Sequence, residues 1–448
     1  MNVLLVNHYA GSPQHGMEFR PYYLAREWVR AGHRVQIVAA SHSHVRSRQP
    51  ELNSAARLDE TIDGIAYRWY ATPRYAGNGI GRVRNIAAFL WALWRDAPRL
   101  VREFAPDVVI ASSTYPLDIW VARHIARRAN AKLVHEIHDL WPASPVELAG
   151  MSPRHPFIRL CQRAEDAACR DADVVVSMLP KVAEHLAAHG LDLRKLHIVP
   201  NGIAVDEWNP PFAALDTALA DRLDALRSAG RCIVGYAGSH GLPNALDVLL
   251  DAAALLVERS QFDDSQDAQP LTPALSQGAR VRTAELATAN SGEIDKNAPI
   301  SFVLVGDGHE KARLAQRVRD ESLANVLLCE PIAKAQIPAL LARFDIAYIG
   351  WQRVPIYHFG IAPNKLMDYM MAARAVLHAV EAGNDPVAEA GCGLTVAPES
   401  AEAVAQGLRR LAALTADERA AMGERGRRFV VAHHTYPVLA QRFIEAVS

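Results

Sequence analysis

Residues 3–40 read V-L-L-V-N-H-Y-A-G-S-P-Q-H-G-M-E-F-R-P-Y-Y-L-A-R-E-W-V-R-A-G-H-R-V-Q-I-V-A-A. Val3–Val6 is wholly apolar, as a strand buried on both faces of a parallel sheet should be. A loop from Asn7 to Gly16 follows. The spacing then predicts an amphipathic helix over about Met17–Ala31, where Tyr23, Leu24, Glu27 and Trp28 show the mixed faces. Gly32 and His33 stop it, and Val35–Ala40 is a second apolar strand. Strand, glycine loop, helix, strand is a right-handed crossover unit, and it points to a parallel sheet. The loop carries Gly11 and Gly16, but Met17 stands where a phosphate-binding P-loop has lysine, so it is not a nucleotide-hydrolase cradle. It also lacks G-x-G-x-x-G, which argues against a dinucleotide site. Such a loop can let a sugar nucleotide approach the backbone closely, and a plain tight turn accounts for it equally well.

The pattern repeats outward from this unit. Residues 41–63 are polar and aperiodic and read as a loop, and Gly64–Tyr70 reads as an extra strand. Strands follow at Asp107–Ser113, Lys132–Ile137, Asp173–Met178 and Lys195–Val199, with helices over about Leu117–Arg128, Phe157–Cys169 and Lys181–His189. The stretch Ala204–Phe212 reads as a linker. The architecture restarts at strand Ile233–Gly238, followed by the turn Gly238-Ser239-His240-Gly241 and a helix over Asn244–Glu258. Residues 260–299 are polar without periodicity, and a disordered or loosely ordered insertion is expected there. Strands at Ile300–Val305, Asn325–Cys329, Ile346–Trp351, Ala375–Val380 and Leu394–Ala397 then alternate with helices. A chain of 448 residues exceeds one ordinary core. The expectation is an α/β protein of two Rossmann-like parallel-sheet domains facing each other across a cleft. Its parts are residues 1–204, residues 205–436, and a C-terminal helix over 437–448 that packs back on the first domain.

A hydrophobic content of 50% with 22% charged residues describes a globular protein, and a net charge of −1 gives no general attraction to nucleic acid. Five cysteines without a C-x-x-C pair suggest reduced thiols in a cytoplasmic protein. No apolar run approaches the ~20 residues that span a bilayer. The N-terminus has no basic region ahead of Val3–Val6 and reads as a strand, not a signal peptide. The segment 82–102 mixes arginines with Phe89, Trp91 and Trp94. It fits a peripheral membrane contact, but a helix packed on the sheet with its arginines in water explains the same sequence and is the preferred reading.

Ligands of open parallel sheets bind beyond the carboxyl ends of the strands. After strand Ile346–Trp351 comes Phe359–Met371, F-G-I-A-P-N-K-L-M-D-Y-M-M. A helix opens there with Asn364 and Lys365 in its first turn, where free backbone N–H groups and a lysine together attract phosphate. The plainer reading is a capped helix with a surface ion pair between Lys365 and Asp368. Position favours a diphosphate clamp, because the helix lies in the second half, opposite the Gly11–Gly16 loop of the first. In the first half, His138 and Asp139 form the preferred polar pair, and a loop histidine satisfied by backbone is the rival reading. His135 and His138 point oppositely on a regular strand and are no metal pair. His185 and His189 have i,i+4 spacing without the glutamate of H-E-x-x-H, so they read as a solvated face.

The motifs N-H-Y-A-G-S-P-Q-H-G-M-E-x-R (7–20), G-H-R-V (32–35), H-D-L-W-P-A-S-P (138–145), V-P-N-G-I (199–203), Y-A-G-S-H-G (236–241), V-G-D-G (305–308) and G-I-A-P-N-K-L-M-D-Y-M (360–370) occur in this order. Together they resemble glycosyltransferase family 4, the retaining transferases of GT-B fold. Within it they are similar to the polysaccharide-assembly branch that contains the N-acetylfucosaminyl transferases of O-antigen synthesis. The resemblance implies a glycosyltransferase that moves a hexose or N-acetylhexosamine, with retention, from a nucleotide donor, UDP before GDP. The acceptor it implies is a lipid-linked or growing glycan at the inner face of the membrane. It places the Gly11–Gly16 loop and Ser239, His240 and Gly241 around the donor phosphates, and Glu330 to Lys334 beside the base. Asn364 and Lys365 would contact the diphosphate, Asp368 the ribose, and His138 the transferred sugar or acceptor, with Asp139 on the acceptor side. Lys365 and His138 are thus the expected catalytic residues.

Two positions depart from the family pattern. Gly360 stands where its first glutamate would fall, and His240, Pro243 and Asn244 replace an Arg/Lys pair after Gly238. No D-x-D in a suitable loop suggests a metal-bridged diphosphate, so neither metal nor cofactor is expected. Two other functions use the same cleft. A sugar-nucleotide epimerase needs no acceptor, and a non-catalytic sugar-nucleotide-binding assembly subunit is kept open by Gly360. A dehydrogenase is disfavoured, because neither half has the dinucleotide fingerprint.

Overall fold

The computed structural model describes residues 1–17, 19–77, 79–263 and 300–448. The first half runs β1 (Asn2–Val6), α1 (Arg20–Arg30), β2 (Arg34–Ala40), β3 (Arg57–Ile62), β4 (Ile65–Tyr70), α2 (Ile80–Phe104) and β5 (Val108–Ala111). It continues α3 (Ile119–Ala129), β6 (Lys132–Ile137), α4 (Ala143–Glu147), α5 (Pro156–Asp171), β7 (Val174–Ser177), α6 (Ala183–Ala188) and β8 (Leu196–Ile198). The second half runs α7 (Thr217–Ser228), β9 (Cys232–Ala237), α8 (Leu246–Asp263), β10 (Ile300–Val305), α9 (Lys311–Asp320), β11 (Val326–Cys329), α10 (Ile337–Leu341) and β12 (Ile346–Gly350). It ends α11 (Asn364–Met371), β13 (Ala375–Ala379), α12 (Pro386–Ala390), β14 (Gly393–Thr395), α13 (Ala401–Ala412), α14 (Ala416–His433) and α15 (Tyr436–Val447).

The first sheet has the order β3-β4-β2-β1-β5-β6-β7-β8, and the second β11-β10-β9-β12-β13-β14. Every pairing is parallel except that of β3 with β4. Two parallel-sheet α/β domains are therefore present, as the alternation of apolar runs implies. Strand order reverses between β1 and β5 in one sheet and between β9 and β12 in the other. Crevices open beyond the carboxyl ends at such switch points. They lie at the loop after Val6 in the first half and at Gly238–Gly241 in the second.

Several elements differ from the sequence reading. Helix α1 begins at Arg20, where Pro21 fits the first turn, and not at Met17. Residues 57–62 are an edge strand and not loop: β3 pairs antiparallel with β4 and carries Asp59 and Glu60, whose charges hide its period. Helix α7 follows the linker with a weakly amphipathic sequence that periodicity did not mark. Helix α8 runs through residues 260–263, so that part of the expected insertion is helical, and the rest of that expectation, 264–299, lies outside the described residues. All five cysteines are unpaired.

Helix α15 leaves the second half and lies on α1 of the first. The Trp28 indole N–H donates to Ala440 O at 3.1 Å, Trp28 meets Phe443 edge-on, and Tyr23 stacks on Tyr436. The loop ahead of α11 crosses in the same sense. Ile356 joins the core formed by Ile137, Leu140, Val182 and Leu186, with Phe359 packed against it, and Lys181 N donates to Phe359 O at 2.9 Å. Phe443 is fully buried, and replacing it with alanine should cost about 3–5 kcal/mol by deleting contacts and leaving a cavity. A Phe443→Ala protein melting within a degree of the parent would contradict this account of how α15 is held.

Candidate active site

In the second half the site begins at the end of β9. The turn Gly238–Gly241 lies directly on the turn Gly306–Gly308: Gly238 N donates to Val305 O, and His240 N to Asp307 O at 2.8 Å. A side chain at Gly306 would fall 1.9 Å from Gly238 O, so only glycine permits this contact. The packing turns the His240 ring inward. Its two nitrogens are buried and have no hydrogen-bond partner among the described residues. Burial, followed by the charge of Lys311, lowers its pKa to about 4, so the ring is neutral.

Lys365, in the first turn of α11, reaches across to this turn. Its Nζ donates to Tyr236 OH at 2.8 Å and Asn244 Oδ1 at 2.6 Å, and lies over the Tyr236 ring. No carboxylate pairs with it among the described residues. Burial of an ammonium with only neutral partners lowers its pKa to about 7. No side chain caps α11, and Asn364 at its start is exposed. An uncapped helix N-terminus, a half-buried ammonium and a neutral imidazole with unused nitrogens thus converge, an arrangement chemically able to receive an anion.

The ion pair of the plainer reading, Lys365 with Asp368, is absent: Lys365 Nζ bonds Tyr236 and Asn244 instead. The lysine side chain goes to Tyr236, while Asp368 faces a cavity of about 480 Å³ on the other side, with Phe19, Tyr23, Glu207 and Lys334. Burial pushes the Asp368 carboxyl up to about 7, with Lys334 opposing. Lys334 spans the domains there: Nζ pairs with Glu207 Oε2 at 2.7 Å, donates to Tyr23 OH, and lies over the Phe19 and Tyr23 rings. Glu330 is exposed and pairs with Lys311. Ser239 is exposed, its carbonyl accepting from Tyr236 OH and from Asn244 Nδ2.

The first-half loop is more inward than expected. Gly11 is buried, its carbonyl accepting from Tyr67 OH at 2.9 Å. Gly16 takes φ +86° and packs against Ser47, so its lack of a side chain serves the domain's own packing. Pro13, Gln14 and Met17 are the exposed residues of this loop, and Pro13 reaches the Asp368 cavity. Glu18 lies outside the described residues.

At the end of β6 the sequence reading missed the central group. Glu136 is fully buried and pairs with Arg20 at 3.0 Å, while its other oxygen accepts from Ser112 Oγ at 2.6 Å and His138 Nε2 at 3.2 Å. Burial alone would raise this carboxyl, but Arg20 and then His138 more than offset that and hold it well below the usual carboxylate range. Arg20 also donates to Val199 O and Pro200 O, where the chain leaves the first sheet. His138 is thus oriented by a carboxylate and a hydroxyl, against the alternative of a histidine satisfied by backbone. Asp139 is committed to Ser144 Oγ and Leu140 N, and burial raises its pKa. It borders a second cavity, about 460 Å³, walled by Ile80, Val83, Ile86, Trp141, Leu148 and Phe157.

Gly360, the position lacking the expected acid, has φ +99°, and a Cβ there would lie 2.4 Å from Pro180 Cδ. No glutamate fits in this conformation. His185 and His189 are no solvated face: their side chains are 16% and 27% exposed and are bonded to Glu165 and Asp166.

Residues 15–202 match the family model described as "Glycosyl transferase 4-like domain", and residues 286–445 the one described as "Glycosyl transferase-like". The D-inositol 3-phosphate glycosyltransferase of Xylanimonas cellulosilytica is 30% identical over 142 residues, 31% of this chain. The match spans only 33% of that protein. The fold is shared with sucrose-phosphate synthase from Thermosynechococcus elongatus at a TM-score of 0.65, with 15% identity over 99% of this chain and 97% of that one. It is shared with Anabaena HepE in complex with UDP-glucose at 0.61, with 14% identity over 99% and 98%. WaaG, a glycosyltransferase involved in lipopolysaccharide biosynthesis, also aligns at 0.61, with 14% identity over 100% and 99%. The GT-B fold expected from the motifs is the fold observed.

Removing the Arg20 charge while Glu136 stays buried should cost about 3–5 kcal/mol, the usual penalty for an orphaned interior ion. Arg20→Leu should therefore melt well below the parent, and Arg20→Leu with Glu136→Gln should recover part of the loss. If the double variant were as unstable as the sum of both singles, the pair would not be the unit described.

Proposed function

We propose that this chain, a two-domain glycosyltransferase by the family models its halves match, transfers a sugar from a nucleoside-diphosphate donor to a glycan acceptor. The observation that carries this is Lys365, an ammonium held under cover by two neutral oxygens beside the unpartnered His240 ring. As the bond between sugar and phosphate breaks, negative charge grows on the departing diphosphate. Lys365 and the first-turn N–H groups of α11 are placed to stabilise it without reorganising. On this reading the Gly238–Gly241 turn brings backbone against the phosphates. Asp368 takes the ribose, and the Phe19 and Tyr23 rings with Lys334 border the base. His138, oriented by Glu136 and Ser112, meets the transferred sugar or the acceptor.

UDP is the favoured nucleotide, supported by the HepE complex and by the motif resemblance. Retention at the anomeric carbon and a place in cell-surface polysaccharide or O-antigen assembly rest on the motif resemblance, and the likeness to WaaG agrees with the latter. Donor transfer is taken to need no metal, since Lys365 and the helix supply the positive charge.

A lipid-linked acceptor has separate support. Among the described residues no helix is long and apolar enough to cross a membrane. Helix α2, however, exposes Ile80, Arg84, Ala87, Trp91, Arg95, Pro98 and Arg102 on one stripe at three- and four-residue spacing. Arginines around an exposed tryptophan, with no acid on that stripe, suit an anionic bilayer surface. The foot of α2 walls the apolar cavity beside Asp139. This reading places the protein on the cytoplasmic face.

Lys365→Ala should lower transfer by about 10²–10³-fold, the usual effect of deleting one donor to developing charge. Unchanged turnover with unchanged donor KM would sink the clamp. The pH dependence has a definite sign. Lys365 is charged below about 7 and neutral above it in the free protein, so diphosphate affinity should fall as pH rises through 7, by at most about tenfold per unit. Asp368 loses its proton over the same range and adds repulsion, so Asp368→Asn should keep the Lys365 part of the slope and Lys365→Ala should lose it. On anionic vesicles, replacing Arg84, Arg95 and Arg102 with alanine should weaken sedimentation by tenfold or more, at about 1 kcal/mol for each charge. Sedimentation indifferent to these changes and to Trp91→Ala would remove the membrane reading.

A further inference from the structure

Outside the cleft, α5 and α6 meet at a group of metal-ligating side chains that the transfer reaction does not use. Glu165 of α5 is buried, and one of its oxygens lies 2.8 Å from His185 Nε2 on α6. Its other oxygen lies 4.0 Å from His189 Nε2. One ligand atom from each of the three residues can be chosen so that all lie within 4.8 Å of one another. Ligands at about 2.0–2.1 Å around a tetrahedral ion are about 3.3 Å apart, so small side-chain rotations bring the three onto one centre.

The surroundings add what a bare cluster lacks. His189 Nδ1 lies 2.9 Å from Asp166 Oδ1 and 3.0 Å from Gln162 Nε2, and the tautomer that donates from Nδ1 to the carboxylate leaves Nε2 free to ligate. Gln162 Nε2 bonds both Glu165 Oε2 and Asp166 Oδ1, so the two carboxylates are held in place before any ion arrives. The His185 and His189 rings, brought together by their i,i+4 spacing, lie 4.6 Å apart and are tilted by 51°. The His185 ring also contacts Phe359 of the second half, 5.2 Å between centroids, and borders an open cavity with Arg159 and Arg163. The open side leaves room for water as a fourth ligand.

We propose that Glu165, His185 and His189 bind a divalent transition cation of the zinc and cobalt class, with Asp166 positioning His189. Ligation through His185 Nε2 requires the neutral ring to carry its proton on Nδ1, so the Nε2–H now facing Glu165 gives way to the other tautomer. The ion ties α5 to α6 directly under the loop carrying Phe359, so its role is to brace the seam between the halves. It takes no part in holding the donor diphosphate.

The test adds Co²⁺, then Zn²⁺, to the full-length protein freed of metal by chelation. Visible absorption, calorimetric stoichiometry and melting temperature are followed. One equivalent of Co²⁺ giving bands of a low-coordinate site, displaced by Zn²⁺ and accompanied by a higher melting temperature, is the expected result. His189→Gln and Glu165→Gln should each abolish the bands, and Asp166→Asn should weaken binding by about 10–100-fold while the apoprotein fold, read by circular dichroism, is kept. His240→Gln, in the cleft, should leave the bands unchanged. Absence of Co²⁺ binding at millimolar metal, or bands that survive His189→Gln and Glu165→Gln, would overturn the proposal. The same follows if binding is lost with His240→Gln instead.

Discussion

Lys365 keeps an ammonium out of water with a phenol and an amide oxygen as its hydrogen-bonding partners. An interior cation without a counter-charge is unfavourable, and here the cost appears as a pKa lowered to about 7. The neighbouring features share this incompleteness. The His240 ring is buried without partners, α11 has no side-chain cap, and the Gly238 turn leaves its backbone against the lysine, a Cβ there being 3.2 Å from Nζ. Each is individually a small penalty, and on the proposed function a bound diphosphate would relieve all of them together. Arg20 in the first half is, by contrast, paired with Glu136, while Arg46 is buried over the Trp69 ring without a carboxylate among the described residues and donates to Ala40 O.

The position of that cation depends on both halves of the molecule. The loop leading to α11 is seated in the first-half core through Ile356, with Phe359 against it, and Asn201 Nδ2 donates to Ala362 O at 2.9 Å. Gly360 passes so close to Pro180 that any side chain would break this seating. The position therefore has no room for the glutamate that the motif resemblance implies there. Arg20 fixes the other end of the arrangement, holding Glu136 and the departing chain at Val199 and Pro200.

The alternation of apolar runs was enough to read two parallel sheets and nearly every buried strand, because a strand covered on both faces has to be continuous in Val, Ile and Leu. It failed at β3, an edge strand whose Asp59 and Glu60 break any apolar period, and at α7. The place of Lys365, in the first turn of a helix that follows a strand end, is legible in the sequence. Its partners are not, since Tyr236 and Asn244 lie more than a hundred residues away in sequence and become relevant only when β9 and α11 adjoin. In the sequence, Asn244 marks only the absence of a basic residue. The N-H-Y motif proved to be largely core: Asn7 Nδ2 donates to Ser112 O, and His8 bridges Tyr115 and Asn85. Burial holds His8 neutral, with a pKa of about 3. The i,i+4 histidines looked solvated because their partners, Glu165 and Asp166, sit on another helix.

The most direct measurement follows the Lys365 side chain itself, by NMR of ¹³Cε-labelled lysine across pH, without ligand and with saturating UDP. The account predicts a titration near 7 in the free protein that moves upward by a unit or more when the diphosphate supplies the missing counter-charge. A Lys365 resonance that titrates near 10 in the free protein, or one that UDP leaves unmoved, would contradict it.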